Sequence, residues 1–527
     1  MERSDWFLTA RERGNSTTAI DRRHGGDAWT SNNLATPLIH GHEYFARLCD
    51  ELQRTSAGDR VYFTDWRGDP DERLDGPGSE VTDILVGLAE RGVEVKGLLW
   101  RSHPDVTRFS EEENRTLAKA VNEAGGELLL DERVRRAGSH HQKLFVILHP
   151  NAPETDVAFV GGIDLCHGRN DGEHHHGDPQ AIVIDKRYGP TPAWHDMQVE
   201  LRGAVVGDIV ETFVERWNDP TPLHHAWVGP WHSRADESAK DVASLDGVPH
   251  TDRPCGTHAI QVLRTYPVKR PPYPFAPSGE RSVARAYVKA FRRARRLIYI
   301  EDQYLWSTDI ARHLGDALAE HPQLHVVVVV PRFPDEDGRL SGPPNRMGQL
   351  IALRQLREAG GERLAVYDLE ADRYPVYVHA KICIVDDVWM TIGSDNLNRR
   401  SWTHDSELSC AVLDDTIDER EPTDPAGLGD FARVLPRETR LRLWREHLQC
   451  DQVPLDFGAG VAALRSSAEA LDRWHDGGCT GPRPTGRLRV HDPSPVPLWQ
   501  KPLMWPLYRL VNDPDGRPIR LRLRGSF

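Results

Sequence analysis

Short apolar runs alternate with amphipathic segments along most of the chain, and this alternation predicts an α/β protein. In the first half, the apolar runs predict six strands that precede a helix at 207–217. These strands lie near 60–64, 93–99, 128–130, 143–148, 157–160 and 197–201. In the second half, six more strands are predicted near 297–301, 325–330, 364–367, 380–385, 389–392 and 408–413.

Two of these segments have unusually clear patterns. Residues 326–330 are all valine, and such a continuous run is typical of a strand that is covered on both faces in the middle of a sheet. Residues 345–359 carry apolar side chains at helical spacing, and Gly360 follows as a C-terminal stop. The sequence therefore predicts a buried central strand and an amphipathic helix that packs on its sheet.

Three short sequences of the first half recur in the second half in the same order. They are EAGGE at 123–127 and 358–362, His-x-Lys at 141–143 and 379–381, and the strand ending VYFTD at 61–65 with its counterpart IYIED at 298–302. Collinear matches of this kind indicate an internal duplication. We expect two similar lobes, each a mixed β-sheet flanked by helices, related by a pseudo-twofold axis.

The predicted domain organisation follows from this repeat. The first lobe covers 1–232, a polar linker covers 233–256, the second lobe covers 257–455, and an extension in which the repeat is exhausted covers 456–527. The extension contains the apolar stretches LW at 498–499 and LMWPLY at 503–508. These could enter a lipid interface, but the interrupting prolines favour packing on the core.

Composition and charge narrow the class of protein. Hydrophobic residues make up 39% and charged residues 28%, which is typical of a globular protein. The formal charge of −14 argues against a broad nucleic-acid-binding face, so no nucleic acid is expected as a partner. The first residues lack a secretory signal, and no window has the length of a membrane span. We expect a cytoplasmic protein with peripheral membrane contact.

The cysteines and a histidine triplet bear on metals and disulfides. The seven cysteines are scattered without a CxxC pair, which predicts reduced thiols rather than disulfides or a zinc site. The triplet at 174–176 lies among acidic residues and glycines, which favours a solvated loop over a metal site. We therefore expect no metal and no cofactor.

The duplicated His-x-Lys segment carries the candidate chemistry. Residues two apart on a strand face the same side, so His379 and Lys381 would point together, as would His141 and Lys143. The pseudo-twofold axis would bring the four side chains to one shared active site. There, one imidazole can attack phosphorus to form a phosphohistidine, while the other protonates the leaving alkoxide and then deprotonates water or an alcohol. The ammonium groups can hold phosphate oxygens.

Longer motifs around these residues resemble a known family. His-x-Lys-x4-Asp at 379–386 is followed by Gly-Ser-x-Asn at 393–396, and a related pattern occurs in the first half; together they resemble the phospholipase D superfamily. Further segments are similar to the eukaryotic and plant-type phospholipases D in particular. These segments are FVGGIDLCHGRND at 159–171, WHD at 194–196, IYIEDQY at 298–304 and EHL at 446–448. The resemblance covers residues 35–455.

The resemblance implies roles for individual residues. It implies His141 as the nucleophile and His379 as the general acid and base, and it implies the pair more firmly than this order. Lys143 and Lys381 would act with them, and a carboxylate would stand behind each imidazole. The remaining implied residues are Asp196 and Glu407 as these carboxylates, Asn396, Ser394 and Asp164 on the substrate phosphate, and Asp386, Gly161, Gly162 and Gly393 as structural motif residues. The glycines alone are compatible with simple turns.

The sequence departs from the family pattern at three positions. Leu148 stands where the first motif should have its aspartate, Asp164 occupies the position that matches Asn396, and Asp302 replaces an expected asparagine. The motif aspartate usually supports the fold around the site, so its loss could alter stability or pKa values. Leu148 also leaves open a catalytically impaired homologue that only binds phospholipid.

The resemblance implies hydrolysis of the headgroup ester of glycerophospholipids, or transfer of the phosphatidyl group to an alcohol, with phosphatidic acid as one product. The implied partners are a phospholipid membrane surface and water or an alcohol as acceptor, and a monomer is compatible with the sequence. The alternatives are a nuclease or a phosphatidyltransferase such as cardiolipin synthase. Excess negative charge disfavours the first, and missing N-terminal membrane helices disfavour the second. Without the family's N-terminal lipid-targeting domains, calcium dependence is not expected.

Overall fold

The computed structural model describes residues 1–22, 24–101, 111–223, 243–247, 253–334, 342–497 and 501–527. The predicted linker at 233–256 lies mostly outside the described residues. Leu498 and Trp499 of the tail lie outside them as well. The strands and helices of both lobes lie within the described segments.

The first lobe has eight strands, and all except β7 form one mixed sheet. The strands are β1 (Thr30–Ile39), β2 (Arg60–Asp65), β3 (Glu94–Trp100), β4 (Glu127–Asp131), β5 (Leu144–Leu148), β6 (Val157–Gly161), β7 (Ala193–His195) and β8 (Met197–Arg202). Their order across the sheet is β4–β3–β2–β5–β6–β8–β1. Strands β2, β3 and β4 run parallel, and every other neighbouring pair is antiparallel.

The second lobe repeats this sheet. Its strands, with one from the extension, are β9 (His258–Tyr266), β10 (Glu280–Arg281), β11 (Leu297–Glu301), β12 (His325–Val329), β13 (Leu364–Ala371), β14 (Tyr374–Val378), β15 (Ile382–Val385), β16 (Trp389–Gly393), β17 (Glu407–Asp414) and β18 (Leu488–Val490). The order β13–β12–β11–β15–β16–β17–β9 has the same directions as the first sheet. The predicted fold class of two similar mixed-sheet lobes is confirmed. Strand β1 also pairs with β9, and β7 pairs with β14, so the lobes are joined through backbone hydrogen bonds.

Helices cover the faces of both sheets. They are α1 (Arg3–Trp6), α2 (Ala10–Arg13), α3 (Gly41–Gln53), α4 (Val81–Glu90), α5 (Glu111–Glu123), α6 (Val205–Trp217), α7 (Ser282–Arg293), α8 (Thr308–Glu320), α9 (Gly342–Gly360), α10 (Arg399–Thr403), α11 (Val434–Leu448), α12 (Phe457–Asp476), α13 (Lys501–Leu507) and α14 (Ile519–Arg524). The predicted helices at 207–217 and 345–359 correspond to α6 and α9.

The apolar side chains form one shared core and one outer core for each lobe. The shared core joins α6 and α12 to the facing sides of both sheets, whereas α3–α5 and α7–α9 cover the outer sides. The valine run shows why both layers form. Val327 and Val329 enter the shared core, while Val326, Val328 and Val330 enter the outer core of the second lobe. This central strand is covered on both faces, as its sequence predicted.

The two His-x-Lys segments lie just before strands β5 and β15, because these strands begin slightly later than predicted, at Leu144 and Ile382. Backbone hydrogen bonds from the opposite lobe hold each segment. The His141 N–H donates to the Ser406 carbonyl at 3.0 Å, and the His379 N–H donates to the His195 carbonyl at 2.7 Å. Each candidate histidine is therefore positioned by the chain of the other lobe.

Leu148, which stands where the first motif should have its aspartate, lies at the end of β5 that is far from His141. In the second lobe, Asp386 follows β15 and its carboxylate accepts three backbone N–H bonds, from Arg295, Arg296 and Leu297, at 2.7–2.9 Å. In the first lobe, Leu148 is instead buried in the shared core. Because both positions lie a strand length from the histidines, the departure changes how the fold is supported rather than which groups meet in the site.

The C-terminal extension both packs on the second lobe and exposes apolar side chains. Strand β18 pairs with β13, and the buried Tyr508 donates its hydroxyl to the Trp306 carbonyl at 2.6 Å. Trp505 and Leu510 nevertheless remain 45% and 73% exposed. No helix in the described part of the chain is long and apolar enough to cross a membrane. The seven cysteines, all within described segments, are unpaired, as predicted.

Candidate active site

Each candidate histidine is paired with a carboxylate from the other lobe. His141 Nδ1 lies 2.9 Å from Glu407 Oε2, and His379 Nδ1 lies 2.6 Å from Asp196 Oδ2. The carboxylates occupy equivalent places, because Asp196 immediately precedes β8 and Glu407 begins β17. Ser406 precedes Glu407, and its carbonyl accepts the N–H of His141. In the same way His195 precedes Asp196, and its carbonyl accepts the N–H of His379. The duplication therefore produces two crossed His–carboxylate pairs.

Burial and neighbouring lysines keep both imidazoles neutral. Burial and the adjacent ammonium group of Lys143 lower the pKa of His141 well below its usual value. Burial and the ammonium group of Lys381 lower the pKa of His379 to about 3. A carboxylate at Nδ1 requires the proton to lie on that nitrogen. The Nε2 lone pair of each ring is then available to attack phosphorus or to accept a proton.

The two carboxylates differ in their electrostatic surroundings. Although burial favours the neutral form, His379 and Lys381 hold the pKa of Asp196 below its usual range. Burial and the nearby Asp405 raise the pKa of Glu407 well above its usual range. The His379–Asp196 pair is therefore better suited to stabilise an imidazolium than the pair formed by His141 and Glu407.

The lysines are buried between the two lobes. Lys143 Nζ lies 3.2 Å from Asp164 Oδ1 and donates to the His141 carbonyl. Lys381 Nζ donates to the His379 carbonyl and to Gln303 Oε1, the latter at 3.5 Å. Burial lowers the pKa of Lys381 to about 8. Lys143 thus has a carboxylate in direct contact, Asp164, whereas Lys381 is attracted electrostatically by Asp196 and Asp302.

The residues predicted to contact phosphate occupy different environments. Asn396 is buried, and within the described part of the chain its side-chain oxygen has no hydrogen-bond partner; this oxygen accepts hydrogen bonds, so it could receive one from a hydroxyl group of a ligand but not bind a phosphate oxygen. The Ser394 hydroxyl instead donates to Glu407 Oε2 at 2.6 Å and accepts the Leu408 N–H at 3.0 Å. In this structure Ser394 therefore positions the carboxylate behind His141 rather than a phosphate.

The motif glycines are required by close packing rather than by turns. Gly161 and Gly393 end the equivalent strands β6 and β16. A Cβ atom on Gly162 would lie 2.6 Å from Asp196 Oδ1, and one on Gly393 would lie 1.9 Å from the Ser409 hydroxyl oxygen. On Gly161 it would lie 2.2 Å from the side-chain oxygen of Gln198. These contacts are closer than a Cβ can tolerate, so a side chain would displace the carboxylates' strands.

Three site residues were not singled out from the sequence. The Trp194 indole N–H donates to Asp196 Oδ2 at 3.1 Å, and the Arg169 guanidinium stacks 3.8 Å from the centre of that indole ring. The Gln303 amide donates to the Tyr377 hydroxyl at 2.7 Å. Trp194 and Gln303 lie inside the motifs WHD and IYIEDQY, which are the signals that could have pointed to them.

A pocket opens beside Gln303 and Tyr377. It lies between the second lobe and the C-terminal extension. Its lining includes Gln303, Tyr304, Trp306, Arg332, Phe333, Arg346, Tyr377, Arg489 and Val490. Aromatic rings and guanidinium groups are thus part of the lining of a cavity, and its lining residue Gln303 accepts a hydrogen bond from Lys381.

Two family models and several known proteins are similar to this chain. A family model described as Phospholipase D matches residues 71–321, and one described as cardiolipin synthase, PLD-like domain, matches residues 287–420. Phospholipase D1 of Saccharomyces cerevisiae is 25% identical over 81% of this chain, and Phospholipase D alpha 1 of Ricinus communis is 24% identical over 78%. The matches span 29% and 65% of these relatives' own lengths. A solved phosphatidylserine synthase of Haemophilus influenzae is similar with a TM-score of 0.49 and 14% identity, covering 73% of this chain and 84% of that chain.

Proposed function

Because the chain belongs to the phospholipase D superfamily, we propose that it cleaves the headgroup phosphodiester of glycerophospholipids and yields phosphatidic acid. The observation that carries this proposal is the convergence of two crossed His–carboxylate pairs with two buried lysines. A displacement at phosphorus needs a nucleophile, a proton donor on the opposite side and cations for the equatorial oxygens. The site supplies one group for each need.

The proposed reaction has two displacement steps. When the phosphodiester anion binds, His379 Nε2 takes up a proton from solvent. His141 Nε2 then attacks phosphorus while His379 gives this proton to the departing headgroup alkoxide, leaving a phosphatidyl group on His141. His379 then takes a proton from water or an alcohol, whose oxygen attacks phosphorus and releases His141. The ionised Asp196 supports His379 in this role because it stabilises the imidazolium. The arriving phosphodiester anion raises the pKa of the imidazole that must carry the proton.

The decisive experiment supplies the protein with mixed phospholipid vesicles and ethanol. Mass spectrometry should detect phosphatidic acid and phosphatidylethanol, and both should disappear in His379→Ala. Phosphatidylglycerol in the vesicles tests transfer to a lipid alcohol, which would yield cardiolipin. If neither phosphatidic acid nor any phosphatidyl alcohol forms with any headgroup, the proposal is wrong.

Lys381 gives an expected alkaline limit to activity. Its pKa of about 8 lies below that of an exposed lysine because the ammonium group is buried. As the pH rises through about 8, the side chain loses its proton and no longer holds a phosphate oxygen, so kcat/KM should fall. Lys381→Arg keeps a cation at higher pH and should move this fall upward. A wild-type profile that stays flat through this range would contradict the assignment.

We propose that the tail contacts the bilayer next to the pocket. Leu510 and Val511 are 73% and 55% exposed, and the adjacent Tyr508 is anchored on Trp306, which lines the pocket. Replacing both residues by serine should weaken sedimentation with vesicles by about tenfold or more, since each apolar side chain contributes about 1.5 kcal/mol on burial. Activity on a short-chain monomeric lipid should be unchanged.

The matched control for the tail variant is Ile417→Ser. Ile417 is also exposed, at 43%, but it follows the end of β17 that is far from Glu407 and the candidate site. This variant should bind vesicles as the wild type does. Unchanged vesicle binding in the Leu510 and Val511 double variant would remove the tail from the membrane contact.

A further inference from the structure

Next to the segment that carries His379, three histidines contact one carboxylate. Glu446 Oε2 lies 2.8 Å from His40 Nε2, and Glu446 Oε1 lies 3.0 Å from His175 Nε2 and 3.2 Å from His195 Nδ1. These donor atoms all lie within 4.8 Å of one another. The three histidines are no more than 3% exposed. We call this group the three-histidine cluster.

The cluster corrects one expectation from the sequence. The triplet at 174–176 was expected to be a solvated loop, and His174 is indeed 73% exposed. The middle residue, His175, is instead buried with its Nε2 directed at Glu446. The polar neighbours of His175 in the sequence predict an exposed loop. Its burial depends on Glu446, which comes from α11, far along the chain.

We propose that the three-histidine cluster binds a divalent transition-metal ion in tetrahedral coordination, with Zn²⁺ as the best fit. Three imidazole nitrogens and one carboxylate oxygen are a donor set that Zn²⁺ accepts. The ion displaces the N–H protons that otherwise join the imidazoles to Glu446, so that the ring lone pairs face the metal. This inference does not depend on the proposed lipid chemistry.

The ring positions match such a site. The ring centres of His40 lie 4.9 Å from those of both His175 and His195, and the latter two are 5.6 Å apart. With Zn–N bonds of about 2.0–2.1 Å at tetrahedral angles, imidazole centres lie about 5 Å apart. Small movements of the side chains would therefore complete the coordination.

An outer hydrogen bond orients His195 as a metal-bound histidine requires, and a carboxylate lies near the outer nitrogen of His175. His195 Nε2, the nitrogen directed away from the cluster, lies 2.6 Å from Glu301 Oε2. The other oxygen of Glu301 lies 2.6 Å from His447 Nε2, which fixes the carboxylate in turn. His175 Nδ1 faces Asp171 at 3.6 Å. Histidine ligands of metals almost always donate their second ring N–H to such a carboxylate.

The backbone also indicates a functional constraint. His40 has a φ of 77° and His175 a φ of 56°, a left-handed region that non-glycine residues rarely adopt. Such conformations persist where the surrounding structure requires them, and they cluster at functional sites. Two of the four proposed ligands therefore hold unfavourable backbone geometry while pointing at one carboxylate.

A bound ion would join the two lobes next to the catalytic site. His40, His175 and His195 belong to the first lobe, and Glu446 belongs to α11 of the second. The His195 carbonyl accepts the N–H groups of His379 and Ala380. The Arg487 guanidinium, 3.9 Å from Glu446, is the cation that faces the cluster from the extension. The metal would thus fix the backbone segment that carries His379, between β14 and β15.

The test measures the metal content of the full chain produced without a polyhistidine tag. The protein is dialysed against metal-free buffer and then given one equivalent of Zn²⁺. Inductively coupled plasma mass spectrometry should then find about one zinc per chain. His175→Ala should lose the ion, while the neighbouring exposed variant His174→Ala should retain it. Zn²⁺ should raise the thermal midpoint of the wild type and of His174→Ala but not of His175→Ala.

Two further measurements keep the test decisive if His175→Ala folds poorly. Co²⁺ bound to the wild type should show the intense visible bands of four-coordinate cobalt, and Glu446→Gln should weaken them. A wild type that retains no zinc and shows no thermal shift would overturn the proposal. Retention of zinc by His175→Ala, or the weak spectrum of six-coordinate cobalt, would overturn the four-ligand assignment.

Discussion

His141→Ala and His379→Ala are each expected to lower kcat by about five orders of magnitude, and the double variant should be hardly worse than either. Each imidazole contacts a carboxylate of the opposite lobe, His379 buried and His141 partly buried, and the two act on the same phosphorus in the proposed reaction. Residues that act as one unit lose nearly everything when one is removed. The measurement is release of phosphatidic acid from vesicles, with thermal unfolding as a check of folding.

The matched control for these variants is His149→Ala. His149 lies at the other end of β5 from His141 and pairs with Asp59 at 3.0 Å, away from the site. It should retain nearly full turnover. If either His141→Ala or His379→Ala keeps wild-type turnover, the two-histidine mechanism is wrong.

The same variants can separate the two roles. A phosphatidyl ester of p-nitrophenol has a leaving group that needs no protonation, so the variant that lacks the general acid should regain an initial burst of nitrophenol release. The variant that lacks the nucleophile should show no burst. A burst in His379→Ala but not in His141→Ala supports the proposed order, and the reverse result exchanges the roles.

The strands and their repeated order could be predicted because apolar runs report burial directly. The valine run at 326–330 is the clearest case, since both of its faces are covered. Strand β9 was missed because its buried positions include Gln261 and Arg264. Arg264 is compensated by Glu215 and Glu280, which are remote in the sequence. Local patterning cannot reveal a buried polar residue whose partners lie elsewhere.

The sequence could predict which residues form the site, but not which carboxylate pairs with which histidine. His141, His379, Asp196 and Glu407 all belong to motifs, yet which carboxylate serves which imidazole depends on how the two sheets face each other. The sheet edges that join the lobes, β1 with β9 and β7 with β14, decide this arrangement. The same limit applies to His175, whose partner Glu446 is brought to it only by the assembled lobes.

Asp196→Asn is expected to lower kcat by about 10³-fold or more while leaving the fold intact. The asparagine amide can donate to His379 Nδ1, which would force the ring proton onto Nε2 and leave no lone pair there to accept the proton of water or an alcohol in the second step. It would also remove the negative charge that stabilises the imidazolium. In this orientation the amide NH2 also faces the Trp194 indole N–H, which in the wild type donates to the same Oδ2, while the amide oxygen keeps the Met197 N–H bond of Oδ1.

Glu407→Gln provides the comparison, and here we expect a much smaller loss, about tenfold. Burial and Asp405 raise the pKa of Glu407, so its side chain is already closer to a neutral group that an amide can imitate. The Ser394 hydroxyl, 2.6 Å from Glu407 Oε2, can still donate to the amide oxygen. The measurement is kcat on vesicles at neutral pH, with thermal midpoints for both variants. Equal losses in the two variants would contradict the difference inferred between the two pairs. A larger loss in Glu407→Gln would mean that the His141–Glu407 pair carries the imidazolium, and the general acid would then be His141.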